Sequence, residues 1–197
     1  MGKGRLEAFS DGVIAIVITI MVLELEVPHG ASLAAFETVL PVLLGYVLSF
    51  VYVGIYWANH HHLFQAVKGI DGGVLWLNLH LLFWVSLVPF VTAWMGQSGV
   101  ATAPVTAYGA VLLMCAASYT LLEHRLVRMK RTNARLARAI GADRKGWLSL
   151  GAYACGIVLG LLEARIGLAV YVAVAITWFI PDSRIERKAG GAGQDEA

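Results

Sequence analysis

The chain has 197 residues, of which 58 % are hydrophobic and only 14 % charged, with a formal net charge of +2. That balance, with its positive mean hydropathy, lies far from the soluble average, and the apolar residues run in long stretches instead of amphipathic periods, which excludes an ordinary water-soluble domain. The small net charge carries no nucleic-acid signal, so no nucleic acid is expected among the partners.

A hydrocarbon core about 30 Å thick takes roughly 20 helical residues to cross. Six stretches meet that demand in chain order: Leu6–Leu25, Leu40–Ala58, Val74–Trp94, Val105–Leu122, Trp147–Leu162 and Ile166–Ile180. Backbone groups inside lipid must be satisfied within their own segment, so the expected fold is an all-α integral membrane protein of six transmembrane helices. The last two spans are short and joined by Glu163-Ala164-Arg165, so a five-helix count with a re-entrant last segment stays open. Residues 1–188 form the membrane domain, and the Gly- and Ala-rich tail 189–197 is expected to be disordered because it holds nothing that could offset the cost of ordering.

Orientation follows from Lys and Arg counted loop by loop, since short translocated loops are depleted of them. With the N-terminus inside, Lys3, Arg5, Lys68, the run from Arg125 to Lys145 and the tail residues Arg184, Arg187 and Lys188 are cytoplasmic, and only Arg165 is outside. The outer loops carry Glu24, Glu26, Glu37 and Glu163 instead, so both termini are expected in the cytoplasm. The run Arg125–Lys145 sits directly between two spans, which makes anionic lipid headgroups its expected contact. Acids interrupt the N-terminal apolar run and no small-residue cleavage site follows it, so it is expected to remain as the first helix. Cys115 and Cys155 lie in separate spans without Cys-x-x-Cys spacing, so neither a disulfide framework nor a zinc site is expected.

The first helix places an acid, Asp11, inside the membrane. Such a carboxylate has to face protein or water and find a partner. Candidates at the same depth are Trp57, Asn59, His60 and His61 at the end of the second span, and Asn78 and His80 at the start of the third. With each residue turning about 100° and Ile16 taken as zero, Ile20 falls near about +40°, Leu23 about −20° and Thr19 about −60°, whereas Ser10 and Asp11 fall near about +120° and −140°. One side is therefore an aliphatic stripe of Ile16, Ile20 and Leu23 edged by Thr19, and the polar pair points elsewhere.

The sequence Arg5-x-x-x-Phe9-Ser10-Asp11 resembles the signature of the lysosomal potassium channel family, also called the transmembrane protein 175 family, in its prokaryotic single-repeat branch. The resemblance implies a homotetramer whose first helices line a central pore, in a prokaryotic plasma membrane. It implies a constriction at Ile16, Ile20 and Leu23 with Thr19 beside them, and Trp57, His60 or His61, and Asn78 as partners of Ser10 and Asp11. No Thr-Val-Gly-Tyr-Gly filter occurs in the chain, so selection is expected at a hydrophobic constriction that admits ions losing water at lower cost. K⁺ and Cs⁺ are then the expected permeant ions, with less Na⁺, and K⁺ discriminated only modestly. Glu24 and Glu26 at the outer mouth could concentrate cations.

His60-His61-His62 suggests a metal, but successive helical residues point about 100° apart and cannot share one ion. No metal and no cofactor beyond the permeant ion are expected. Ser10, Asp11 and His60 include the residue types of a nucleophile, acid and base, yet Ser10 beside Asp11 on one helix lacks the geometry between base and nucleophile, so an enzyme is not expected. A small secondary transporter or a non-conducting scaffold stays as the alternative, although the chain has neither broken helices nor an internal repeat in its pattern.

Overall fold

The computed structural model describes residues 2–65, 67, 69–129 and 144–179. The tail 189–197, Lys68, the cationic positions from 130 to 143 and those after 180 lie outside the described residues. Among the described residues seven helices follow one another: α1 Lys3–Leu23, α2 Leu33–Gln65, α3 Gly72–Ser86, α4 Val88–Gln97, α5 Thr102–Arg128, α6 Arg144–Leu162 and α7 Ala164–Phe179. No strand ladder occurs among the described residues. The α3–α4 pair is a single 26-residue apolar pass, so the helices make six passes, five of them long and apolar enough to cross a membrane and the sixth, in α7, shorter.

Two spans depart most from those expected of the sequence. The second span extends well beyond Leu40–Ala58: α2 has 33 residues and at 1.5 Å per residue reaches about 50 Å. Its start is set by Ser32, whose Oγ accepts from the Ala35 N–H at 3.2 Å, and it continues through the three histidines to Gln65. The third span, expected to be continuous, is interrupted at Leu87. Pro89 has no N–H to give to the carbonyl four residues before it, and its ring crowds that turn, which is the ordinary cause of a helix break.

The passes alternate in direction. One end of the bundle gathers the Asp71–Arg125 ion pair at 2.6 Å, the edge-on rings of His124 and Trp147, and the bond from Trp178 Nε1–H to Ser149 Oγ at 2.8 Å. The starts of α3 and α6 and the ends of α5 and α7 therefore lie together, and the cations Arg125, Arg128 and Lys145 share that end with Lys3 and Arg5. The turn residues Glu24, Glu26 and Glu163 lie at the opposite end.

Asp71 caps α3 by accepting the Val74 N–H at 2.8 Å. That bond, then the Arg125 guanidinium, holds its carboxyl below the usual carboxylate range. Because the folded value is the lower one, this contribution is present above the ordinary carboxylate range and is lost as pH falls through the folded value. Asp71→Asn keeps a cap but not the charge. Its melting temperature is expected to lie below that of the parent at pH 7 and to converge with it as pH drops below about 4, read by melting curves in detergent.

The last two passes are separate helices joined by Glu163 alone, the second of them, α7, shorter than the five long enough to cross a membrane. Their contact is backbone on backbone. A Cβ on Gly167 would lie 2.7 Å from the Gly160 Cα and 2.8 Å from the Gly156 carbonyl oxygen, neither of which can swing aside. Small residues at such a crossing let two helices approach in lipid, where no hydrophobic force brings them together. Gly167→Ala is expected to destabilise the protein by about 1–3 kcal/mol. Gly151→Ala, with nothing within 4 Å, should leave the melting temperature of the purified protein unchanged or raised.

Candidate functional site

The first helix buries Leu6, Ser10, Ile14, Val17 and Met21, spaced at three and four residues along one face. The opposite side is left uncovered within the chain: Ile16 is 59 % exposed, Ile20 42 % and Leu23 81 %. Thr19 is exposed too, its hydroxyl turned back to the Ile16 carbonyl at 2.8 Å. A helix with one seam against its own chain and a bare aliphatic stripe is an element awaiting lipid or other copies.

Three helices are pinned together at the buried seam. Asn78 Nδ2–H of α3 donates to Ser10 Oγ of α1 at 2.9 Å, and Ser10 donates onward to the Leu6 carbonyl at 2.9 Å. His60 Nε2 of α2 lies 2.7 Å from Asn78 Oδ1. An amide oxygen only accepts, so Nε2 carries the hydrogen. All three side chains are fully buried, and each has its partner. Polar groups in this setting are costly when orphaned and specifying when satisfied.

Asp11 stands at the exposed rim of the same region, not inside it. It accepts from Trp57 Nε1–H of α2 at 3.0 Å, a charge-assisted bond. His61 stacks on Trp57 with ring centroids 6.1 Å apart and bonds Gln65 within its own helix at 2.8 Å. The carboxylate therefore takes the indole, and the imidazole bonded to Asn78 is that of His60. Two other candidates are bonded elsewhere. Asn59 donates to Ile55 of its own helix. His80 accepts from Trp84 Nε1–H at 3.2 Å, so its Nδ1 carries the hydrogen and donates to Ser118 Oγ of α5 at 2.9 Å. Arg5 and Phe9 are exposed, and neither side chain bonds another among the described residues.

A second polar cluster gave no sign in the sequence. Thr92 of α4 donates to the Val88 carbonyl at 2.7 Å, which leaves Ser49 of α2 to donate to Thr92 at 2.6 Å and Tyr108 of α5 to donate to Ser49 at 2.9 Å. Single hydroxyls scattered through apolar runs form no pattern until three helices meet. The Tyr52 hydroxyl likewise donates to the Tyr171 carbonyl of α7 at 2.6 Å.

The TMEM175 family, described as the endosomal/lysosomal potassium channel TMEM175, matches residues 5–89, the stretch from Arg5 into the start of α4 that holds the whole three-helix clasp. A protein named as a potassium channel of Chryseobacterium sp. (strain P1-3) is 52 % identical to the chain over 187 residues, 95 % of this chain and 97 % of that one. The chain belongs to the TMEM175 family. A second relative, named as a potassium channel of Streptomyces collinus (strain DSM 40733 / Tue 365), is 35 % identical over 190 residues, 88 % of this chain and 90 % of its own length. The crystal structure of a lysosomal potassium-selective channel TMEM175 homolog from Chamaesiphon minutus superposes with a TM-score of 0.80 at 28 % identity, over 90 % of this chain and 96 % of that one. The protein is therefore a multi-pass, all-helical membrane protein of a TMEM175 potassium channel family, as the motif at Arg5, Phe9, Ser10 and Asp11 implied.

Proposed function

We propose that four copies of this TMEM175-family chain assemble around a central axis lined by α1 and conduct K⁺ across a hydrophobic constriction. The observation that carries the reading is the bare stripe of Ile16, Ile20 and Leu23, with Thr19 at its edge, on a helix otherwise seated in its own subunit. One stripe cannot enclose a path, but four related by symmetry can. A ring of aliphatic side chains resists wetting, and a partly dehydrated ion crosses it at a cost set by its own hydration. K⁺ and Cs⁺ hold water less tightly than Na⁺ and pass preferentially, with modest discrimination between K⁺ and Na⁺.

The clasp gives this path its rigidity. Ser10, Asn78 and His60 fix the angle of α1 against α2 and α3 from the buried side, and Trp57 holds Asp11 at the rim with His61 stacked behind it. Glu24 and Glu26, exposed just beyond the end of α1, raise the local cation concentration at the outer mouth. The cation-bearing end of the bundle faces the cytoplasm, following the bias of Lys and Arg toward the untranslocated side, in a bacterial plasma membrane.

The reading is tested by ion flux from proteoliposomes loaded with K⁺, Cs⁺ or Na⁺, beside native mass measurement of the purified assembly. A tetramer that releases K⁺ and Cs⁺ faster than Na⁺ is the expected result. A monomer, or vesicles as tight as protein-free ones, would overturn it.

A further inference from the structure

The bundle carries a groove that adjoins the proposed conduction path and shares Ile20 and Glu24 with it. It lies where the end of α1 passes the interrupted third span, has a volume of about 570 Å³, and is lined by Ile20, Glu24, Ser86, Pro89, Phe90, Trp94 and their neighbours. This size falls within the range of small-molecule sites. The break at Leu87 makes the space: Pro89 stops α3 from running on as one rod, and Ser86, Pro89 and Phe90 on either side of the interruption form its wall.

The lining has one chemical character. Glu24 supplies the single charge, and its carboxylate has no hydrogen bond or ion pair among the described residues; no cation lines the groove. Phe90 and Trp94 lie along one face of α4 with ring centroids 6.1 Å apart, both exposed. Aromatic faces attract cations through their quadrupole, tryptophan most strongly, and quaternary ammonium groups are recognised by aromatic walls of this kind. A carboxylate in the same groove adds the complementary charge. A hydrated alkali ion would gain little from two aromatic rings, whereas an organic cation buries its apolar groups against them.

We propose that this groove binds a free organic ammonium ion, with its charged nitrogen at Glu24 and its apolar groups on Phe90 and Trp94. The site adjoins the aliphatic stripe and shares Ile20 with it, while its aromatic wall comes from α4. Because binding is read directly, the proposal stands or falls independently of whether the protein conducts.

The experiment is calorimetric titration of phenyltrimethylammonium into the full-length protein, held in phosphatidylglycerol nanodiscs so that no lipid ammonium competes. The expected result is one ion per chain, bound at least about tenfold more weakly by the double variant Glu24→Gln/Trp94→Leu. Should that variant not fold, Glu24→Gln and Phe90→Leu taken singly at exposed positions give the same reading, each expected to weaken binding about threefold or more. Equal binding by parent and variants, or none by the parent, would overturn the proposal. So would binding that vanishes in nanodiscs containing phosphatidylethanolamine, because a lipid headgroup would then be the occupant.

Discussion

Ile16→Asn is expected to bring the K⁺ to Na⁺ flux ratio to within about twofold of unity and to raise the Na⁺ leak at least about tenfold, equivalent to about 1.4 kcal/mol off the crossing barrier. Ile16 is the first residue of the exposed stripe on α1 and is 59 % exposed within its own chain. An amide there offers an oxygen and two N–H groups where the isoleucine offers only methyl and methylene surface. Four amides around an axis would let Na⁺ keep or replace its water, removing the penalty that separates it from K⁺. Because the side chain packs into no buried seam of its own subunit, the substitution should leave the melting temperature close to that of the parent. The check is paired flux measurements in K⁺, Cs⁺ and Na⁺ with melting curves on the same preparations. An unchanged ratio would mean that the stripe is a packing surface, and the conduction path would have to be sought elsewhere.

Asn78→Ala is expected to be the most destabilising single change at the clasp, costing about 2–4 kcal/mol. The amide serves both neighbours at once: its oxygen accepts from His60 and its N–H₂ donates to Ser10. Truncation orphans His60 Nε2–H in a fully buried position and opens a void beside it. Ser10 loses a donor but keeps its bond to the Leu6 carbonyl, so most of the cost falls on the histidine. His60→Ala in the Asn78→Ala background should therefore cost much less than His60→Ala alone. A double-mutant cycle on thermal or denaturant stability measures that difference. Additive costs would show that His60 and Asn78 are not coupled, and would leave the register of α1 to its apolar seam.

Much of the architecture was legible in the amino-acid order because lipid imposes a single rule. Each pass must be helical, apolar and about 20 residues long, and every expected span is mostly helix, although the first runs two residues past α1, the third is broken at Leu87 and the last ends at Ile180, outside the described residues. Where the rule is silent, boundaries were not legible. The far end of α2 is rich in histidine and reads as the end of a span, yet its backbone stays helical to Gln65. Pro89 could be seen, but proline is tolerated in membrane helices, and only the packed structure shows that the helix stops and restarts there.

The composition and order of residues alone determined that the chain is a membrane bundle of six helical spans, that most of its Lys and Arg gather at one end, and that the motif from Arg5 to Asp11 belongs to one family. They also separated the aliphatic stripe of α1 from Ser10 and Asp11, since helical periodicity is a local property. Tertiary structure alone decided which groups meet. His60 and His80 are alike in kind and in depth, but one turns to Asn78 and the other to Ser118. Ser49, Thr92 and Tyr108 are ordinary hydroxyls until α2, α4 and α5 bring them within 3 Å. Hydrogen-bond partners are chosen by the rotation and crossing of whole helices, quantities that depend on every contact in the bundle and that no window of sequence contains.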